Sequence, residues 1–472
     1  MTIILDHSRL CVTAPAGTGK THLITETLRE YTGAKPLLVL THTNAGIHVL
    51  RRRLSESSVP SSRFQIQTID GFALLLVRTF PTRAGYRINE VDISYPAVRA
   101  AAFKLLAEHH IDSVLKANFA RVIVDEYQDC DITQHCIVAT LAELIPTAVL
   151  GDPLQRIFGF KGNELPGWDN VQEAFVVQEA LHEPHRWMRA GNEDLGQWLL
   201  SIRTALKAGG PIDLDEAPRG SVLHFQSSKE EGYRQMTSQV MSLNGKTLVI
   251  GDSTSNKVRH ELARRFPGAS IVEPVELNCL MNFACAVDAC LSSAMNSAQP
   301  VEHVVLEFAA NLMTGVGTKP LLKRLESIKA KRNNKPPTYV EAVTLRLTEV
   351  PSYNAVKDLL EALRGQQGAR LFRPSLLRLA MQSLRMASQG IVATLLIAAK
   401  EIRERNRHFS SSLPDVSVGS TLLLKGLEAE NVAIVNADKT SAENLYVALT
   451  RGSKKVLVRS TGRTLIPLQT RY

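Results

Sequence analysis

Short apolar runs recur along the chain at residues 10–13, 36–41, 121–125, 147–151, 222–225, 247–251, 432–436 and 456–459, and residues with helical spacing lie between them. Runs this short and this continuously apolar predict strands covered on both faces. Their alternation with helical segments predicts parallel sheets wrapped by helices, the α/β class. Between Cys279 and His408 the strand signals fade and helical patterns take over, interrupted at Pro300, at residues 335–337 and 365–368, and at Pro374, so this stretch reads as a mainly helical insert. A shorter insert is expected at 81–117. The most apolar stretch, residues 390–399, is stopped by Lys400, so no membrane-spanning helix is expected.

One strand-to-helix turn carries distinct chemistry. Ala14-Pro-Ala-Gly17-Thr-Gly19-Lys20-Thr21 follows the run at 10–13 and leads into a helical pattern through His22. A glycine-containing turn at a helix start lets backbone N–H groups wrap phosphates, while Lys20 neutralises the β and γ oxygens and the Thr21 hydroxyl binds Mg²⁺. Ala14 stands where the strict pattern has Gly, and a turn of this shape that binds nothing is the competing reading. A second element favours the phosphate reading: Val122-Ile-Val-Asp125-Glu126 is an apolar strand ending in two acids, of which Asp125 can hold Mg²⁺ and Glu126 can orient and deprotonate an attacking water.

With these two elements the chain resembles superfamily 1 helicases of the UvrD/Rep-like branch. Thr41-His-Thr-Asn44 is similar to motif Ia, Thr68-Ile-Asp70-Gly-Phe72 to the next DNA-contacting motif, and Asp125-Glu-Tyr-Gln-Asp129 to the acidic motif. Gly151-Asp-Pro-Leu-Gln155-Arg-Ile-Phe158-Gly-Phe160-Lys161-Gly162 resembles motif III, Pro184-His185-Arg186 motif IV, Lys425-Gly-Leu-Glu428 motif V, and Tyr446-Val-Ala-Leu-Thr450-Arg451 motif VI. The resemblance implies two RecA-like P-loop domains. The first (1A) would span 1–80 and 118–180, with insert 1B at 81–117, and the second (2A) would span 181–275 and 411–472, with a basic helical insert 2B at 276–410.

The resemblance also implies roles. Lys20, Glu126, Gln155, Arg186 and Arg451 would be catalytic, the two arginines reaching the γ-phosphate of ATP. Ala14, Pro15, Ala16, Gly17, Thr18, Gly19, Lys20, Thr21 and His22 would hold the nucleotide, with His185 stacking on adenine and Glu428 contacting the ribose. Thr21 and Asp125 would hold Mg²⁺. His42, Asn44, Thr68, Phe158, Phe160 and Lys161 would contact single-stranded DNA by stacking and hydrogen bonding. Arg51, Arg52 and Arg53 read either as phosphate contacts or as a solvated helix face.

Several positions depart from the family. About nine residues precede the first strand, so the upstream Gln that reads adenine in the family is not expected here. Leu422 stands where motif V has a His, Ala429 replaces an aromatic after Glu428, and Asp70 places a negative charge near the expected DNA path. The inserts are small, and in size and motif style the chain resembles the helicase-like B subunits of Gabija anti-phage defence, which work beside a separate nuclease. Two functions follow as expectations. One is an ATP-dependent DNA helicase or translocase acting on single-stranded DNA with 3′ to 5′ polarity. The alternative is a nucleotide-gated DNA-sensing subunit that regulates a partner nuclease or effector with little unwinding.

Charge sharpens where duplex DNA would be held. The 472 residues carry a formal net charge of +9, and residues 301–410 alone hold 18 Lys and Arg against 9 Asp and Glu, so this one stretch accounts for the excess. Within it Lys319, Lys323, Arg324, Lys329, Lys331, Arg332 and Lys335 are crowded together, with Arg403, Arg405 and Arg407 further on. Lys323, Arg324, Lys331 and Arg332 are the candidate duplex contacts; a solvated helix face, or a surface for an acidic protein, is the competing reading. Six cysteines are too few for a disulfide framework in so long a chain, and the first residues, with Asp6 and His7, do not read as a signal peptide, so a reducing cytoplasm is expected. Cys279, Cys285 and Cys290 lack metal-ligand spacing and are expected to be buried thiols, as are Cys130 and Cys136.

Overall fold

The structure is a computed structural model that describes residues 2–89, 93–159, 164–226, 230–251, 255–274, 277–292, 299–332, 335–406 and 414–469. Its strands are β1 (Arg9–Thr13), β2 (Leu37–Thr41), β3 (Phe64–Thr68), β4 (Arg121–Val124), β5 (Thr147–Gly151), β6 (Val176–Glu179), β7 (Ile212–Asp213), β8 (Val222–Gln226), β9 (Thr247–Ile250), β10 (Ser270–Ile271), β11 (Met313–Thr314), β12 (Arg370–Leu371), β13 (Val416–Gly419), β14 (Ala429–Ile434), β15 (Gly452–Ser460) and β16 (Thr464–Leu465). The protein is α/β, with two six-stranded parallel sheets, as expected for two RecA-like P-loop domains. Two compact units divide the chain, one formed by residues 1–236 and 425–472 and the other by 237–424.

The first unit holds the complete sheet β3-β2-β4-β5-β1-β6, parallel throughout. Its strands obey the two-residue period of a pleated chain. Leu10 and Val12 enter one apolar core with Leu37, Val39, Ala148 and Leu150, whereas Cys11 enters the other with Leu38, Leu40 and Val149. Both faces are therefore covered, which is why the runs read as continuously apolar. The helices Tyr95–Ala107 and Asp112–Asn118, from the expected first insert, send Val98, Leu105, Leu106 and Leu115 into the same core as Phe72 and Leu76 of the helix Ile69–Thr79. The unit also contains the parallel strands β14, β15 and β8, and a small antiparallel pair of β7 with β16.

The second unit joins the parallel strands β9, β13 and β10 to a helical array. Seven helices, Asn278–Leu291, Val301–Leu312, Thr318–Lys329, Tyr339–Glu349, Tyr353–Arg364, Pro374–Ser388 and Leu395–Asn406, share one apolar core. Helix Tyr353–Arg364 shows why: Val356, Leu359, Leu360 and Leu363 fall on one stripe at spacings of three and four. Phe283 and Phe308 stack with centroids 3.8 Å apart. Asp288 fixes the array's last helix, accepting hydrogen bonds from the backbone N–H groups of Leu395 and Leu396 at 3.0 and 2.9 Å and from the Tyr353 hydroxyl at 2.7 Å.

The cysteine expectation needs correction. On the helix Asn278–Leu291 the inward stripe is Leu280, Phe283, Ala284 and Val287, so Cys285 points outward and is exposed, while Cys279 and Cys290 are half-buried. Cys136 is also half-buried; Cys11 and Cys130 are buried. Among the described residues no three or more His, Cys, Asp or Glu side chains cluster so as to hold a metal ion, and no helix is long and apolar enough to cross a membrane.

Candidate nucleotide-binding and hydrolysis site

The site lies wholly in the first unit. β1 ends at Thr13, residues 14–19 form a loop, and the helix Lys20–Glu30 begins at Lys20. Gly17 and Gly19 adopt positive φ, +71° and +106°, a region that costs an L-residue strain. At Gly17 space is lacking too: a Cβ there would come within 2.6 Å of the Trp187 ring. Lys20 is buried, and its Nζ donates to the carbonyls of Ala14 and Pro15 at 2.8 and 3.1 Å, so the ammonium rests on the loop's own oxygens. The Thr18 hydroxyl donates to Pro15 O at 2.9 Å. Thr21 is half-buried in the first helical turn, while His22 points outward, 4.0 Å from Glu26.

β4 delivers the acids. Asp125 is buried and accepts a bond from Glu126 N at 3.0 Å. Its pKa is pushed up to about 7 by burial first and by the Glu126 charge second, against the pull of Lys20. For Glu126 burial also favours the neutral form, but Lys20, Lys425, a bond from Gln128 and Arg451 together outweigh it and hold the carboxyl below its ordinary value. Glu126 has φ of +56°, strained for a non-glycine residue. Asp125, buried, and the adjoining half-buried Glu126 lie within the field of Lys20, and two carboxylates so placed are a donor set that fits a divalent cation.

Motifs distant in sequence meet this loop. Arg186 N donates to Gly17 O at 3.1 Å, and Ala16 N donates to the Tyr446 hydroxyl at 3.2 Å. His185 lies alongside, its Cδ2 3.4 Å from where a Cβ on Gly19 would be. The Arg186 side chain donates to Thr450 O at 2.7 Å and pairs with Glu428. Burial raises the Glu428 pKa less than Arg186, Arg451 and Arg53 lower it, so the net shift is downward. Arg451 is buried, donates through Nε to Val447 O at 3.0 Å, and lies 3.5 Å from Gln155 Oε1. Burial and the neighbouring Arg186 bring its pKa down to about 10. Lys20, Glu126, Gln155, Arg186, Arg451 and Glu428, drawn from both ends of the sequence, thus converge.

The candidate nucleic-acid residues are placed less uniformly. His42 and Phe158 meet edge-to-face with centroids 5.1 Å apart, and Lys425 Nζ lies 5.0 Å from the Phe158 ring. Lys425 is bonded to Asp129 and to Gln155 O. Thr68 caps the helix Ile69–Thr79, accepting from Gly71 N at 2.8 Å, and Asn44 opens the helix Asn44–Glu56. Asp70 does not stand as a bare negative charge: Arg99 pairs with it at 3.1 Å and Gln134 donates to it at 2.9 Å. Phe160, Lys161 and Gly162 lie outside the described residues, as does Arg407.

In the second unit, Lys323, Lys331 and Arg332 are exposed, whereas Arg324 lies 3.6 Å from Glu341 and donates to Lys335 O at 2.8 Å. Lys329 likewise pairs with Glu302 at 3.4 Å. Part of the basic cluster is therefore spent on the fold.

Sequence reasoning missed four groups. Trp187 is almost wholly buried, contacts the glycine loop and donates through Nε1 to Gly452 O at 3.0 Å. Gln128 donates to Glu126 and accepts from Asp152 N at 3.1 Å. Asp152, fully buried, is held by Arg203, whose guanidinium nitrogens lie 2.8 and 2.9 Å from its two oxygens. A buried Asp in a Gly-Asp-Pro turn signals that a cation must partner it; nothing local says which.

Residues 1–161 match the family model described as an AAA domain. Over 81 residues the chain is 32% identical to the ATP-dependent DNA helicase srs2 of Schizosaccharomyces pombe, an alignment covering 17% of this chain and 9% of that relative. A solved complex of the arterivirus nonstructural protein 10 helicase with DNA aligns at 10% identity with a TM-score of 0.29, over 56% of this chain and 52% of that one. The N-terminal third of the chain is thus similar to P-loop ATPase domains, and a short part of the chain to a DNA helicase.

Proposed function

We propose that the protein is an ATP-dependent DNA helicase or translocase of the UvrD/Rep type that hydrolyses ATP on single-stranded DNA and moves 3′ to 5′. The convergence of Lys20, Glu126, Gln155, Arg186 and Arg451 around one glycine loop carries the reading, since each residue type suits one task of phosphoryl transfer. On nucleotide binding, Lys20 exchanges the carbonyls of Ala14 and Pro15 for phosphate oxygens. Backbone N–H groups of the loop and Thr21 complete the cradle, His185 covers the base and Glu428 meets the ribose. Thr21 and Asp125 would hold Mg²⁺, which would supply charge neutralisation for the phosphates when bound. Glu126 orients the attacking water and takes its proton, Gln155 couples the presence of the γ-phosphate to the segment that follows it, and Arg186 and Arg451 stabilise the charge that builds on the γ-phosphoryl group.

His42, Phe158 and Lys425, packed together beside Gln155, are the route by which DNA senses the nucleotide, with Asn44, Thr68, Phe160 and Lys161 along the same path. Lys323, Lys331 and Arg332 hold duplex phosphate; Arg324 contributes only what Glu341 leaves uncompensated. A cytoplasmic location and a separate nuclease or effector partner belong to the same proposal. The second reading, a nucleotide-gated DNA-sensing subunit, draws on motif V: Leu422 and Ala429 depart from the family, and Lys425 is tied to Asp129.

Strand displacement on partial duplexes bearing a 3′ or a 5′ single-stranded tail separates these readings. Displacement of the 3′-tailed substrate that needs ATP and is lost in Lys20→Ala is the expected result. ATP hydrolysis without displacement of either substrate favours the sensing subunit, and preference for the 5′ tail overturns the polarity.

A further inference from the structure

Arg203 belongs to none of the motifs, yet its surroundings tie it to the hydrolysis site. It lies on the short helix Arg203–Lys207, is buried, and forks onto both oxygens of Asp152. A carboxylate with no solvent contact is costly unless paired and fully hydrogen-bonded. Asp152 meets that condition: Arg203 supplies two bonds, Leu154 N a third at 3.2 Å and Gln155 Nε2 a fourth at 3.0 Å. Although burial alone would favour the neutral acid, the Arg203 bonds keep the Asp152 pKa below its ordinary value.

The orientation of Gln155 follows. An ionised carboxylate is acceptor-only, so the amide must turn its NH₂ toward Asp152. Its carbonyl oxygen then faces the other way, 3.5 Å from Arg451. A side-chain amide free to flip would offer a donor there half the time and would face a guanidinium with the wrong end. The same Arg203 guanidinium lies 4.9 Å from the Tyr446 ring centroid, and the Tyr446 hydroxyl accepts from Ala16 N of the phosphate loop.

We propose that Arg203 is a positioning residue for ATP hydrolysis: its fork on Asp152 sets the Gln155 amide with the carbonyl oxygen toward Arg451. The inference rests on the ATPase reading above. Arg203 does not touch the nucleotide; it acts through Gln155.

A double-mutant cycle on ATP hydrolysis tests this in the full chain. Arg203→Lys keeps the charge and loses the fork, and kcat falls about 10- to 100-fold while KM for ATP stays within about twofold. In a Gln155→Ala background the same change lowers kcat by less than about twofold, because the group being positioned is gone. Should Arg203→Lys fail to fold, the paired change Arg203→Met with Asp152→Leu removes both buried charges together; it gives the same loss of kcat and the same insensitivity in the Gln155→Ala background. Full kcat in Arg203→Lys overturns the inference, as does a loss that multiplies with Gln155→Ala or that resides in KM. A wild-type protein that hydrolyses ATP, with Lys20→Ala inactive, upholds the ATPase reading whichever way Arg203 behaves. A wild-type protein inert toward ATP overturns both.

Discussion

The candidate nucleotide site and the basic stretch of the helical array both gather arginines and lysines, but they use them in opposite ways. Around the glycine loop the cations are buried or nearly so, and each meets a defined partner: Lys20 the loop carbonyls, Arg203 Asp152, Arg186 Glu428, Lys425 Asp129. In the array, Lys323, Lys331 and Arg332 stand in solvent, and the paired cations Arg324 and Lys329 meet acids of neighbouring helices. A buried charge network has few arrangements that satisfy every member, so it specifies geometry; an exposed cluster specifies a field and little else. Removing a member should therefore wreck chemistry or folding at the first place and change only salt-dependent affinity at the second.

The largest effect is expected at Glu126. Glu126→Gln should cut ATP hydrolysis about 10²- to 10⁴-fold with nucleotide still bound, measured by steady-state turnover beside fluorescent-nucleotide binding. Asp152→Ala comes next, because it leaves Arg203 buried without its counter-charge: a loss of about 3–5 kcal/mol in denaturant unfolding is expected. Gly17→Ala combines a left-handed backbone with a clash against Trp187, and should cost about 1–3 kcal/mol and weaken nucleotide binding.

In the second unit the expected effects are smaller. His260 has its pKa brought down to about 4 by burial first and then by Arg373, Arg264 and Arg259. The unfolded chain, with an ordinary His, takes up this proton first. Stability from this group is thus present above about pH 6.5 and falls away as the pH drops toward 4. His260→Gln should flatten that part of the stability profile in unfolding curves taken at successive pH values. Smallest in stability is the exposed cluster: Lys323→Gln, Lys331→Gln and Arg332→Gln together should change unfolding by less than about 0.5 kcal/mol, while duplex affinity falls and its salt slope drops by about one for each phosphate left without its cation. An unchanged slope would assign the cluster to another partner.

The parts of this comparison that could be read from sequence are those encoded locally. The turn at residues 14–21 and the strand ending in Asp125 and Glu126 stand out in the sequence because adjacent residues carry the pattern, and the fold sets that loop at the end of β1 and the acids at the end of β4. Strands buried on both faces, such as β1, β2, β4 and β5, were equally legible. β3 escaped, since Phe64-Gln-Ile-Gln-Thr68 alternates polar residues and is only partly buried, and so did β13, four residues ending in glycine. Arg203 was invisible for a different reason: its partner Asp152 lies 51 residues away, and only the fold brings the two together. The cysteines mislead in the same manner, because apolar neighbours suggest burial while the helical phase turns Cys285 outward.

Whether the converged network is a DNA-driven ATPase is tested most directly by ATP turnover with and without added single-stranded DNA, in the wild type and in Lys20→Ala. Turnover that rises with DNA and disappears in the variant is the predicted result. Turnover indifferent to DNA, or persisting without Lys20, would contradict the assignment.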